Sequence, residues 1–299
     1  MRVSDNLRFS QINDHIYKAK KENLEALEKL SSQKRVSNLH DDPIGVTKIL
    51  KHRSNLVDFE NFQKNITFSR GFLETTESAI SGIQEKLGRA HELSIGMASD
   101  TTGPEMKKIT EKEIAEISEE IVQLANSKFN DRYVFSGFRS RSPALSQEVD
   151  YLGDDGQIYL QIESDHFKKI NLSGRDFFEP SPEEKKQGLV GMVDTLNLLR
   201  IGLRNNDKTQ IYRAIENLEF HLNRSASFQS SVGAISTTLD QTEKRLEEKK
   251  VRETSTLSTL EDADMFKVSS DFKRSESILQ STLVASSKLL QPSLFTIMN

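Results

Sequence analysis

One stretch limits the possible folds of this chain more than any other. Phe59, Phe62, Ile66, Ser69, Leu73, Thr76, Ile80, Ile83, Leu87 and Ala90 step alternately by three and four residues. That alternation holds one narrow apolar stripe on a single helix face, the pattern of a coiled-coil seam that demands a partner helix. Ser69 and Thr76 loosen it locally, and Gly71 and Gly82 are tolerated weak points inside it.

The ends of this helix are marked. At Asp41-Asp42-Pro43 a carboxylate can accept from the first free amides, and Pro43 has no amide to satisfy. Asp100-Thr101-Thr102-Gly103-Pro104 permits a reversal and opens a second helix over residues 105–130, with Ile109, Ile114, Ile117, Ile121 and Leu124 toward one side. An antiparallel hairpin is expected. Residues 5–32 read as a separate amphipathic helix on Leu7, Ile12, Ile16, Leu24, Leu27 and Leu30, whose irregular stripe needs a tertiary or intermolecular partner to be populated.

Helical periodicity stops at Tyr133-Val134-Phe135-Ser136-Gly137-Phe138. Short strand-like runs follow between residues 149 and 178, notably Ile158-Tyr159-Leu160-Gln161-Ile162, separated by turns at Gly153-Asp154-Asp155-Gly156 and Ser173-Gly174-Arg175. Helix returns at the capping box Ser181-Pro182-Glu183-Glu184. Asp207 with Gln210 repeats the device and opens a long helix carrying Ile211, Ile215, Leu218 and Leu222, then Val232, Ile235, Leu239 and Leu246. From Asp262, Val268, Phe272, Leu279, Leu283 and Leu290 form a last amphipathic helix, which Pro292 ends.

Composition agrees with that layout. A hydrophobic fraction of 35% is low for a compact globule of 299 residues, while 29% charged residues suits long helices with wide solvated faces. The expected fold is mainly α, an elongated antiparallel helical bundle or coiled coil built from both chain ends with a small β-rich insertion in the middle. Residues 1–42 with 260–299 form a terminal coiled-coil region, 43–131 with 182–259 a helical bundle, and 132–181 the insertion.

Several function classes are excluded or disfavoured. Forty-one basic and 45 acidic residues leave a net charge of -4 with the signs interspersed, no footprint for nucleic acid. There is no apolar run of membrane-spanning length and no secretory h-region at the N-terminus. Without Cys there is no disulfide, thiolate or Cys-based zinc chemistry. His15, His40, His52, His91, His166 and His221 are scattered without metal-ligand spacing. Asp154 and Asp155 sit in a tight turn rather than a calcium loop, and Ser136 lacks the upstream glycine of a nucleophile elbow. No cofactor, metal or catalytic residue is expected, and the chain reads as a non-enzyme.

Three segments are similar to the flagellin superfamily. Leu30-Ser31-Ser32-Gln33-Lys34-Arg35 leading to Asp41-Asp42-Pro43 resembles that family's N-terminal signature. Arg132-Tyr133-Val134-Phe135-Ser136-Gly137-Phe138 resembles the segment at which the branch joining hook to filament leaves its helical region. Leu260-Glu261-Asp262-Ala263-Asp264 resembles the opening of the family's C-terminal helix, and Gly174-Arg175-Asp176-Phe177-Phe178 also fits its pattern. Gln33 departs from the family, which has Gly there, and counts against a sharp reversal at that point.

The resemblance implies a structural part of the bacterial flagellum, exported unfolded through the flagellar type III apparatus with a cytoplasmic chaperone and located outside the cell after a transient cytoplasmic stage. It implies a homo-oligomeric layer at the hook–filament junction, with hook-associated protein 1 below and flagellin above. Leu24, Leu27, Leu30, Phe272, Leu279, Leu283 and Leu290 would carry the axial packing. Lys34, Arg35, Asp41, Asp42, Pro43, Tyr133, Phe135 and Gly137 are the family's motif positions. The bulk filament subunit, or a cytoplasmic helical scaffold or signalling protein, are the competing readings.

Overall fold

A computed structural model describes residues 2–36, 42–99, 103–146 and 150–290, the side chains of residues 2–6, 8, 289 and 290 excepted. The fold is mainly α with a small β insertion. In order, the elements are α1 (Arg2–Ser32), α2 (Pro43–Met97), α3 (Pro104–Ala125), β1 (Lys128–Phe129), β2 (Arg132–Tyr133), β3 (Tyr159–Glu163), β4 (His166–Lys169), α4 (Gly174–Phe178), α5 (Pro182–Lys186), α6 (Met192–Asn205), α7 (Lys208–Glu261) and α8 (Met265–Leu290). They divide into a terminal unit, Met1–Asp58 with Glu248–Asn299, and a central unit, Phe59–Glu247. Residues of α2 and α7 contribute to both.

In the central unit the seam is the spine of the core. Every one of its positions from Phe62 to Ala90 is buried, and Phe59 packs at its edge. The two polar seam residues keep their hydroxyls satisfied by the helix itself: Ser69 Oγ donates to the Asn65 carbonyl at 2.7 Å and Thr76 Oγ1 to that of Phe72 at 2.8 Å. α3 runs antiparallel to α2, pairing Lys86 with Glu120 and Arg89 with Glu113. Its inward row is Lys107, Thr110, Ile114, Ile117, Ile121 and Ala125, spaced by three and four. Ile109 lies one step around the helix from that row and is 62% exposed, against expectation. Lys107, which takes an inward place, gives its ammonium to the Asn206 side chain.

α3 stops at Ala125 rather than near 130 because Asn126 is committed elsewhere. Its side-chain oxygen accepts from the amides of Ala144 (2.7 Å) and Leu145 (3.1 Å), and its amide donates to the Leu145 carbonyl. β1 and β2 then make a two-residue antiparallel pair, and β3 pairs antiparallel with β4 through a bulge between Gln161 and Glu163. Val134 to Phe138 turn away instead of extending β2. Ser173-Gly174-Arg175 starts a short helix rather than a turn: Ser173 accepts from the Asp176 amide and caps α4.

The capping box at Ser181 and Glu184 forms in both directions and opens α5. At α7 only half of that device exists. Asp207 Oδ1 accepts from the amides of Thr209 and Gln210, while the Gln210 side-chain oxygen is buried without a hydrogen-bond partner among the described residues.

Candidate assembly surface

The terminal unit holds α1 against α8. Three observations fix an antiparallel arrangement: Lys34 bridges Asp262 near one end, Asn23 Nδ2 donates to Ser275 Oγ at 3.1 Å midway, and Ile12 and Ala19 line a groove with Thr282 and Ser286 beyond. The covered row on α1 is Ile12, Ile16, Ala19, Asn23, Ala26 and Leu30, and on α8 Val268, Phe272, Ser275, Leu279, Thr282 and Ser286. Both rows step by three and four. Half of their members are small or polar, so the helices meet along a coiled-coil seam that buries little apolar area.

This divides the expected packing residues. Leu30, Phe272 and Leu279 lie on the seam and are covered by the partner helix of the same chain. Leu24, Leu27 and Leu283 do not; they are 54%, 44% and 47% exposed, as large apolar side chains seldom are without a further partner. The Leu290 side chain, and the apolar tail Leu294, Phe295, Ile297 and Met298, lie outside the described residues. Ala19, Asn23, Ala26, Ser275, Thr282 and Ser286, small or polar side chains, complete the seam.

Beyond α1 the chain does reverse. Gln33 adopts a φ of 55°, the left-handed conformation that a glycine would take without cost. Backbone bonds on both sides fix it: Arg35 N–H donates to the Glu261 carbonyl at 2.8 Å and Ala263 N–H to that of Gln33 at 3.0 Å. This pairing occupies residues 261–263, and Asp264 Oδ1 accepts from the amides of Phe266 and Lys267, so α8 starts at Met265 and not at Asp262. Lys34 and Arg53 both reach the Glu261 carboxylate, which is only 7% exposed. Arg35 donates to the Leu260 carbonyl at 2.9 Å and faces Asp42 at 4.0 Å. Burial alone would raise the Glu261 pKa; the hydrogen bonds from Lys34 and Arg53 outweigh it and hold the carboxyl below the ordinary glutamate value.

Asp42 and Pro43 open α2 as expected, Asp42 Oδ1 accepting from the Gly45 amide at 2.8 Å with Pro43 in the first helical position. Asp41 and His40 lie outside the described residues. Phe135 and Gly137 are buried in packing, and Tyr133 is half-buried with the Lys128 ammonium 4.6 Å from its ring centre. Phe135 is fully buried against Phe177 and Phe178, and Tyr151 donates its hydroxyl to the Phe135 carbonyl at 2.9 Å. Gly137, at φ 63°, leaves room for Asp154, whose carboxylate accepts from the amides of Phe138 (2.7 Å) and Gly156 (2.9 Å). Asp155 pairs with Arg175 at 3.2 Å. Both acids of that turn are thereby engaged by protein donors.

Known proteins match the same arrangement. The family model described as the bacterial flagellin N-terminal helical region matches residues 3–140, and the one described as the bacterial flagellin C-terminal helical region matches residues 215–295. Flagellar hook-associated protein 3 of Salmonella typhimurium is 22% identical over 313 residues, covering 99% of each chain. A phase 1 flagellin of Salmonella naestved is 26% identical over 164 residues, which is 54% of this chain but 31% of that one. The solved structure of a flagellar hook-associated protein from Vibrio parahaemolyticus superposes with a TM-score of 0.68 at 14% identity, over 74% of this chain and all of that one.

Proposed function

This chain belongs to the bacterial flagellin family, and from that premise we propose that it is a structural component of the flagellum that joins hook to filament. One observation carries the choice within the family. The match to hook-associated protein 3 runs the length of both chains, whereas that to flagellin covers a third of the flagellin and leaves its remainder without a counterpart. The filament-subunit reading is therefore not favoured.

As a flagellar junction protein the chain assembles with other flagellar components in the bacterial flagellum. The finer reading is that it forms a homo-oligomeric layer between hook-associated protein 1 and flagellin, with no catalytic step, cofactor or metal. It would reach that place unfolded through the type III apparatus, escorted in the cytoplasm by an export chaperone. The exposure of Leu24, Leu27 and Leu283 on a thinly packed helix pair supports axial packing by these residues, because such a pair gains burial on assembly that it lacks alone.

Deleting the gene tests the assignment. Cells should keep intact hooks and shed flagellin into the medium, as seen by electron microscopy and by blotting the supernatant. Normal filaments on such cells would overturn it.

A further inference from the structure

The Lys34, Arg53 and Glu261 cluster brings together segments far apart in the chain, and one carboxylate serves all of them. Lys34 belongs to the reversal after α1, Arg53 to the second turn-pair of α2, and Glu261 to the last residue of α7. Around it, Gln33 is held left-handed by two backbone bonds that both run to residues 261–263. A non-glycine residue in that conformation is sustained only by its surroundings. The Glu261 carboxylate, nearly buried, likewise depends on both cations, since it is the one desolvated charge of the set and only they compensate it. We infer that Glu261 is a releasable latch: with its carboxylate engaged by Lys34 and Arg53 the reversal at Gln33 is locked against α7, and without that charge residues 33–36 detach while the central unit stays folded.

The inference concerns this chain alone and does not depend on the flagellar reading. The set is built for release rather than permanence. Lys34 and Arg53 are each about half solvated, at 42% and 47%, and regain water when freed, so opening leaves no buried cation. Of the other charged groups at the reversal, Arg35 stands 4.0 Å from Asp42 at the surface, and its exposed 2.9 Å bond to the Leu260 carbonyl is a single contact that does not replace the two lost from Glu261. Next to Arg53 on α2, His52 and Asn55 hold Glu253, about two turns before Glu261 on α7, and keep the two helices joined, so release stays local.

Hydrogen exchange on the full-length chain tests this. In Glu261→Gln the amides of Arg35 and Ala263 should exchange about tenfold faster or more, and trypsin should cut faster after Lys34 and Arg35, while protection at Ile114 and Ile211 is unchanged. Lys34→Met, a change at a half-exposed position that cannot prevent folding, should give a smaller acceleration at the same two amides. Unchanged exchange at Arg35 and Ala263 in Glu261→Gln overturns the inference. So does a loss of protection that spreads equally to Ile114 and Ile211.

Discussion

The rings of Phe135 and Phe177 lie stacked, with centroids 5.6 Å apart and 6° between their planes. This contact joins two segments far apart in the chain, the one leaving the α2–α3 pair and α4. Phe178 and Phe228 close the cluster edge-on or tilted, at 4.9 and 5.2 Å from Phe177. Phe177→Ala should therefore lower the stability of the central unit by about 3–5 kcal/mol. Urea unfolding followed by circular dichroism measures it; a loss below about 1 kcal/mol would show that the cluster is dispensable.

Glycines give an internal comparison. A Cβ at Gly174 would overlap the carbonyl oxygen of Phe135, and one at Gly137 would overlap Asp154 at a positive φ. Gly233, within α7, has open space around it. Alanine at 174 or 137 should destabilise by about 2 kcal/mol or more, while Gly233→Ala should stabilise by up to about 1 kcal/mol through helix propensity. Melting temperatures of the three variants should move in those opposite directions, and a common direction would contradict the local geometry.

His221 ties stability to pH. Its ring is fully buried, Nε2 donates to the Val190 carbonyl at 3.0 Å, and Nδ1 has no partner among the described residues. Burial pushes the imidazole down to about 4, the Val190 bond opposes this, and the Arg224 charge adds to it. The unfolded chain, with an ordinary value near 6.5, therefore binds the proton first. Stability from this group is complete above about pH 6.5 and is lost as pH falls toward 4, by about 3 kcal/mol at most. His221→Gln should flatten the urea midpoint between pH 6.5 and 4. An equally steep pH dependence in that variant would assign the effect to other groups.

The leucines should separate folding from assembly. Leu24→Asp, Leu27→Asp and Leu283→Asp alter exposed positions and should leave the helicity and melting of the purified chain within about 0.5 kcal/mol of wild type, yet abolish filament attachment in a complemented deletion strain. Wild-type motility with all three replaced would remove these residues from the interface. Leu279→Asp, on the seam, should also weaken the α1–α8 pair, read as faster exchange of its amides.

What the sequence discloses depends on side-chain size. The seam from residue 59 to 90 is legible because seven of its ten members are large apolar residues, and the structure buries it from Phe62 on. The α1–α8 seam is only half legible: Ile12, Ile16, Leu30, Val268, Phe272 and Leu279 stand out, but Ala19, Asn23, Ala26, Ser275, Thr282 and Ser286 are small or polar, and choosing leucines adds Leu24, Leu27 and Leu283, which face solvent. The reversal at Gln33 is hidden for a different reason. Its conformation comes from bonds to residues more than two hundred positions away, which no local propensity encodes. The motifs around Lys34 and Glu261 are each visible, but their meeting is a property of the fold.

Asn23 and Ser275 make the α1–α8 pair a ruler. Phe272 and Leu279 flank Ser275 along its row, so sliding one helix past the other by a single seam position would press the Asn23 amide into apolar side chains and strand its donors. The two helices are thus kept in fixed longitudinal alignment by a contact that adds little to how strongly they cohere. Length is specified here separately from strength, so whatever builds on this pair receives a rod of constant reach even while its walls remain easy to part.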